Sequence, residues 1–214
     1  MATVALLLWP VLAAGEAPIS EAEQRLFLDP HLANLEGAAT LRYRYAKTGT
    51  LEDGFEDQVR VTLRPADAGP GKHVHVEYLT GARTLPLPDI ESALGNPVIL
   101  SFLERDVREM QRVTGGQASY FRKRVRLALA NQAQVIPMRL ELSGHDIEAV
   151  LIVVQPYAQD PMRARFPRYV HKTYSFKLSQ AVPGMVYELH TLTPDPTGAA
   201  ALIEERLTFA AAER

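Results

Sequence analysis

Residues 95–116, GNPVILSFLERDVREMQRVTGG, carry both end signals and the periodicity of one amphipathic helix. Asn96 can accept a hydrogen bond from an early helical amide, and Pro97 at the first helical position loses no donor that the helix needs. The spacing predicts a helix from Pro97 to about Val113. Ile99, Phe102, Leu103, Val107, Met110 and Val113 recur at intervals of three and four, which collects them on one apolar face. Glu104 with Arg108, and Arg105 with Glu109, stand four apart and can pair along the polar side. Thr114-Gly115-Gly116 stops the helix, because glycine accepts the left-handed backbone of a helix end. A second helix is predicted from about Ser119 to Asn131. Phe121, Val125, Ala128 and Leu129 form its apolar side and Arg122, Lys123 and Arg126 its basic side, with Arg124 near the boundary.

On either side of this helical block the period changes from 3.6 to two. Before it, Leu41, Tyr43 and Tyr45 alternate with polar residues, then Val59, Val61 and Leu63, then Val74, Val76 and Tyr78. Asp53-Gly54 marks a hairpin turn between the first two runs. After it, Met138, Leu140 and Leu142 alternate, followed by strands over Ile147 to Val154, Tyr174 to Leu178, Val186 to Leu192 and Ile203 to Phe209. Ala149 to Val154 is apolar at every position, which predicts cover on both faces. Near the start, Ser20-Glu21-Ala22-Glu23 has the form of a capping box for a short helix through Leu26. The fold expected is α+β: a strongly curved antiparallel sheet of about eight strands, a half-barrel, with two helices inserted between strands three and four. A twisted sheet of this size has one apolar concave face, and the helices are the large elements available to cover it. Residues 20–210 form one domain.

The chain has 214 residues, 47% hydrophobic, with a net charge of −2 and no cysteine. That excludes a disordered chain, gives no global field to gather nucleic acid, and removes disulfides, thiolate metal sites and cysteine nucleophiles. Val4 to Ala14, VALLLWPVLAA, is too short to span a bilayer as a helix. Ala13 and Gly15 fit signal-peptidase cleavage ahead of Glu16, although Met1-Ala2-Thr3 lacks the usual basic head. Residues 1–15 are therefore read as a signal peptide, with no transmembrane segment, and the product as periplasmic and not lipidated.

The order of elements resembles the lipoprotein-carrier fold of the bacterial periplasm, an open half-barrel with a helical lid. The resemblance lies in element order over about Ser20 to Phe209, and no carrier site residue maps onto this chain. NPVILSFLERDVREM, YFRKRVRLALA, FLDPHLANL and LSQAVPGMVY are also similar to an uncharacterised group of exported proteobacterial proteins, which brings no known activity.

Functional readings follow from how the apolar face is covered. If the helices leave a cleft, the protein is a non-catalytic binder of a lipid-like or amphiphilic ligand held between sheet and helices. Tyr43, Tyr45, Phe102, Tyr120, Phe121, Tyr174 and Phe176 are the aromatic residues expected near such a cleft. Arg163 and Arg165, with Arg168, lie in an aperiodic loop beside Tyr157 and Phe166 and can hold an anionic headgroup. If the helices fill the face, the protein is an envelope interaction or structural protein with a protein partner and no small ligand. An enzyme, hydrolytic or metal-dependent, would have to assemble from scattered residues, since no nucleophile elbow, phosphate loop or metalloprotease motif is present. His73, His75 and Glu77 are the metal candidate, because a period of two puts all three on one strand face. The same alternation also lets Val74, Val76 and Tyr78 face the core while those three face water, and the sequence favours this. No cofactor is implied.

Overall fold

The computed structural model describes residues 18–198 and 200–213; the signal segment expected at 1–15 lies outside them. The described chain opens with α1 (Glu21–Glu23), where Ser20 and Glu23 make the reciprocal capping box. The helix widens into a π-helical turn over Gln24–Leu28. Four strands follow, β1 (Ala39–Thr48), β2 (Phe55–Pro65), β3 (Lys72–Tyr78) and β4 (Ile90–Ala93). Then come α2 (Val98–Thr114) and α3 (Ala118–Asn131). The chain finishes with β5 (Gln134–Leu142), β6 (His145–Val154), β7 (Thr173–Leu178), β8 (Val186–Thr193) and β9 (Ile203–Glu213).

All nine strands join one antiparallel sheet in the order β4-β3-β2-β1-β9-β8-β7-β6-β5. The first and last strands pair in the middle, with a bulge between Arg42 and Tyr43. β4 and β5 are the two edges, yet they are consecutive strands in the chain. The segment joining them is α2 and α3, which fold back on each other, Arg122 bridging to Glu104, and lie together on the apolar face. Leu41, Tyr43 and Tyr45 of β1, Val59 and Val61 of β2, and Tyr174 and Phe176 of β7 share one buried cluster with Ile99, Phe102, Val107 and Met110 of α2 and Phe121, Val125 and Leu129 of α3.

The predicted helix ends hold. Val98 N–H donates to Asn96 Oδ1 at 3.2 Å, and Gly115 terminates α2 at φ 67°. Asn96 does more than cap, since its amide also donates to the Tyr43 hydroxyl and the Gly184 carbonyl, both at 2.9 Å. The buried His31 accepts from Asn96 N–H and bonds the Arg25 carbonyl through its other nitrogen. Burial lowers its pKa, and the neutral ring ties the N-terminal segment to the start of α2.

Four expectations change. Among the described residues the strands number nine, in blocks of four and five, because β4 was too short and too exposed to show an alternation. The helices accordingly follow the fourth strand, not the third. β6 alternates, with Ile152 and Val154 buried but Leu151 and Val153 only half-buried, so its outward face is not fully covered. Arg105 does not pair with Glu109; both are drawn to partners on the sheet.

Candidate functional site

The interior between helices and sheet is filled. Tyr43, Tyr45, Phe102, Phe121, Tyr174 and Phe176 are all buried side chains of the core, so they line no central cleft. Their polar ends are spent internally: Tyr43 on Asn96, Tyr45 on Arg105 and Tyr174 on Asp106. The loop after β6 closes one end of the helix layer. Its Tyr157 and Phe166 meet Phe121 edge-on at centroid distances of 5.9 and 5.8 Å, and each such pair adds about 0.5–1.5 kcal/mol beyond burial. Tyr120 donates to the buried Asp160, and burial together with that carboxylate pushes its phenol up to about 12. Arg124 reaches the same carboxylate at 2.7 Å, which accounts for its place between the apolar and basic sides of α3. Arg163 and Arg165 stay on the exposed side of this loop. Arg165 borders a recess of about 340 Å³ with Tyr120 and Phe121, and the structure does not bring either arginine to the groove described next.

At the opposite margin the cover is incomplete. A groove of about 520 Å³ runs between α2, α3, the edge strand β4 and the segment leading into it. Leu103 and Val107 of α2 and Val125 and Leu129 of α3 form its floor, Leu87, Pro88 and Ile90 one wall, and Phe27 one end. Leu100, 60% exposed, and Ile90, 37% exposed, stand at the mouth. Charge is confined to the rim, where Glu23, Glu104, Arg122 and Arg126 lie. Arg122 bridges to Glu104 at 2.9 Å, and Arg126 makes no ion pair among the described residues. A concave apolar surface with a few polar groups at its edge is the usual form of a small-molecule site, and the volume falls within the roughly 300–1,000 Å³ of such sites. The groove exists because β4 is only four residues long and leaves the flanks of α2 and α3 beyond the sheet.

The helix layer is held in place by buried charge as well as apolar contact. Asp106 and Lys172, 1% and 3% exposed, form an ion pair, and Tyr174 donates to the same carboxylate. Lys47, on the inward side of β1, reaches Glu109 at 3.0 Å and Glu52 at 2.7 Å. Arg105 reaches Glu205 of β9 and the Tyr45 hydroxyl, both at 3.0 Å. Burial opposes the ionisation of Glu109, but hydrogen bonds from Arg112 and Lys47 outweigh it and hold the carboxyl down at about 2. Because its folded pKa is depressed, its stabilising effect is complete above the ordinary glutamate range and is lost as the pH falls toward 2. In thermal melts from pH 6 to pH 2, the gap between the wild type and Glu109→Gln is expected to close below about pH 4.5. A gap unchanged at low pH would contradict this assignment.

The other candidates are engaged elsewhere. His75 Nδ1 lies 2.6 Å from Asp89, His73 lies 3.8 Å from Glu91, and Glu77 pairs with Arg60 at 3.2 Å. The three do not converge, and among the described residues no cluster suited to a metal ion forms. Ser175 Oγ lies 3.2 Å from His190, whose other nitrogen lies 2.9 Å from Glu204, the residue types of a hydrolytic triad. They sit on the outward face of the sheet, where β7 is paired on both sides, so its amides are committed to the ladders and offer no oxyanion hole. Glu204 is shared with Arg206, which also bridges to Glu188. The trio belongs to a surface ion network.

Fold and groove together define an α+β protein: an open nine-stranded antiparallel sheet, a two-helix layer filling its apolar face, and an apolar groove at one margin. No protein-family model matches the sequence, and no curated protein matches it. Among solved structures the chain is similar to lipoprotein LppX of Mycobacterium tuberculosis, at 12% identity and a TM-score of 0.36, over 88% of this chain and 92% of that one. It is also similar to a domain from Vibrio parahaemolyticus described as an outer membrane lipoprotein-sorting protein, at 10% identity and a TM-score of 0.27, over 90% of each. Likeness at this level transfers no ligand and no role. Among the described residues no helix is long and apolar enough to cross a membrane.

Proposed function

We propose that the protein is a non-catalytic binder of an amphiphile, whose alkyl chain lies in the groove between α2, α3 and β4 and whose polar end meets the charged rim. The observation that carries this reading is an apolar groove that opens to water at Leu100 and Ile90, above a floor of buried Leu103, Val107, Val125 and Leu129. Removing such surface from water is worth about 25 cal/mol per Å², and the filled interior offers an alkyl chain no comparable place. The ligand sits at the margin of the helix–sheet sandwich, not in its middle as the aromatic pattern suggested. An exported, periplasmic location agrees with this role and rests on the N-terminal sequence.

A titration with dansyl-undecanoic acid tests the proposal. The expected result is saturable fluorescence enhancement, weakened at least about tenfold, equivalent to about 1.4 kcal/mol, by Leu100→Asp with Ile90→Asp. Both side chains are exposed, so the pair is expected to fold. No saturation, or saturation indifferent to the double change, would remove the groove as the site. A chain that fails this titration but captures a protein partner through the same face would be the interaction protein of the second sequence reading.

A further inference from the structure

We propose that the outer surface of the helix layer docks on an anionic lipid bilayer. Residues 98–131 hold seven arginines and lysines against three acids, a surplus of four in a chain whose net charge is −2. Five of the seven cations are paired, Arg105 with Glu205, Arg112 with Glu52 and Glu109, Arg124 with Asp160, and Arg108 and Arg122 with Glu104, so the free positive charge lies on α3. Asp106 and Glu109 are buried against the sheet side with Lys172 and Lys47, and Glu104 is bridged by both Arg108 and Arg122. α3 contains no acid at all. Its exposed stripe is Arg122, Lys123, Arg126 and Leu127, which are neighbours on a helix surface. Lys123 and Arg126 have no ion-pair partner among the described residues.

Beside this stripe stand the exposed Leu100 and Ile90 at the groove mouth. Cations that reach phosphate, next to apolar side chains able to enter the headgroup boundary, match the two layers of a bilayer surface. A soluble acidic protein would satisfy the cations and leave Leu100 and Leu127 in water, so the pairing of the two favours lipid. The inference goes beyond the amphiphile reading: it stands on the charge and exposure of α2 and α3 whether or not the groove takes an alkyl chain.

Co-sedimentation of the purified chain with vesicles of phosphatidylcholine alone, and of phosphatidylcholine with phosphatidylglycerol, tests it. Binding is expected only to the anionic vesicles and is expected to fall as salt rises. Lys123→Gln with Arg126→Gln is expected to weaken it about thirtyfold, at about 1 kcal/mol for each cation near the surface. Arg44→Gln with Arg64→Gln, on the opposite face of the sheet, is expected to leave it within about twofold. Equal binding to neutral vesicles, no binding to either, or equal losses from the two double variants would overturn the proposal. A chain that takes up dansyl-undecanoic acid in solution and ignores anionic vesicles loses the docking face and keeps the groove; the reverse pair of results does the opposite.

Discussion

Asp106→Ala is expected to destabilise the fold by about 3–5 kcal/mol, measured by urea denaturation with circular dichroism as the readout. Asp106 and Lys172 are buried together between α2 and the end of the loop preceding β7. Truncating the carboxylate strands the lysine charge beside Tyr169 and Tyr174 and leaves the Tyr174 hydroxyl without its acceptor. Taking both charges away is a different matter, because the desolvation that the pair suffers disappears with it. Asp106→Leu combined with Lys172→Met is expected to recover most of the loss. A single variant within about 1 kcal/mol of wild type would show that the pair is open to water and is not a latch.

Phe102→Ala is expected to cost about 3–5 kcal/mol, whereas Leu100→Ala, two residues away on the same helix, is expected to change stability by less than about 0.5 kcal/mol. Phe102 is 1% exposed and faces the sheet; Leu100 opens to water at the groove mouth. The contrast reads the orientation of α2 directly. Similar costs at the two positions would mean that the helix presents a different face to the sheet. Thermal melts of the two variants suffice, since neither side chain takes part in the ion pairs.

Much of this architecture can be read in the sequence because local signals and tertiary demands agree. Asn96-Pro97 and Thr114-Gly115 mark the ends of α2, and the inward residues of β1, β2 and β7 follow strict alternation. β4 escaped because four residues, three of them exposed, carry no period. That one strand also sets where the groove lies, so the groove escaped with it. Its walls come from Phe27, the approach to β4, and two helices, segments that only the fold brings together. The buried ion pairs did leave a trace: Lys47 follows Leu41, Tyr43 and Tyr45 at the inward register of β1, and Glu205 stands between Ile203 and Leu207 on β9. Charges at core positions of two strands demand partners, and Arg105 and Glu109 of α2 supply them. Helical spacing alone suggested that those two residues pair with each other, because it carries no information about the sheet opposite. The aromatic residues expected beside a cleft are, Tyr120 apart, buried side chains packed between sheet and helices.

Buried salt bridges and the aromatic packing that adjoins them through Tyr174 and Tyr157 make the helix layer a fixed wall, not a lid, so any ligand is expected to enter at the β4 margin without displacing α2. A crystal structure of the protein soaked with a bromine-tagged fatty acid measures this most directly, through the anomalous signal of the bromine. The result expected is one peak within van der Waals distance of Leu103, Val107 and Val125, with α2 unmoved. A peak inside the aromatic core with the helices displaced, or a peak only in the larger hollow of about 740 Å³ that Met138, Arg139, Val150, Leu178 and Ser179 line over β5, β6 and the end of β7, would contradict the account.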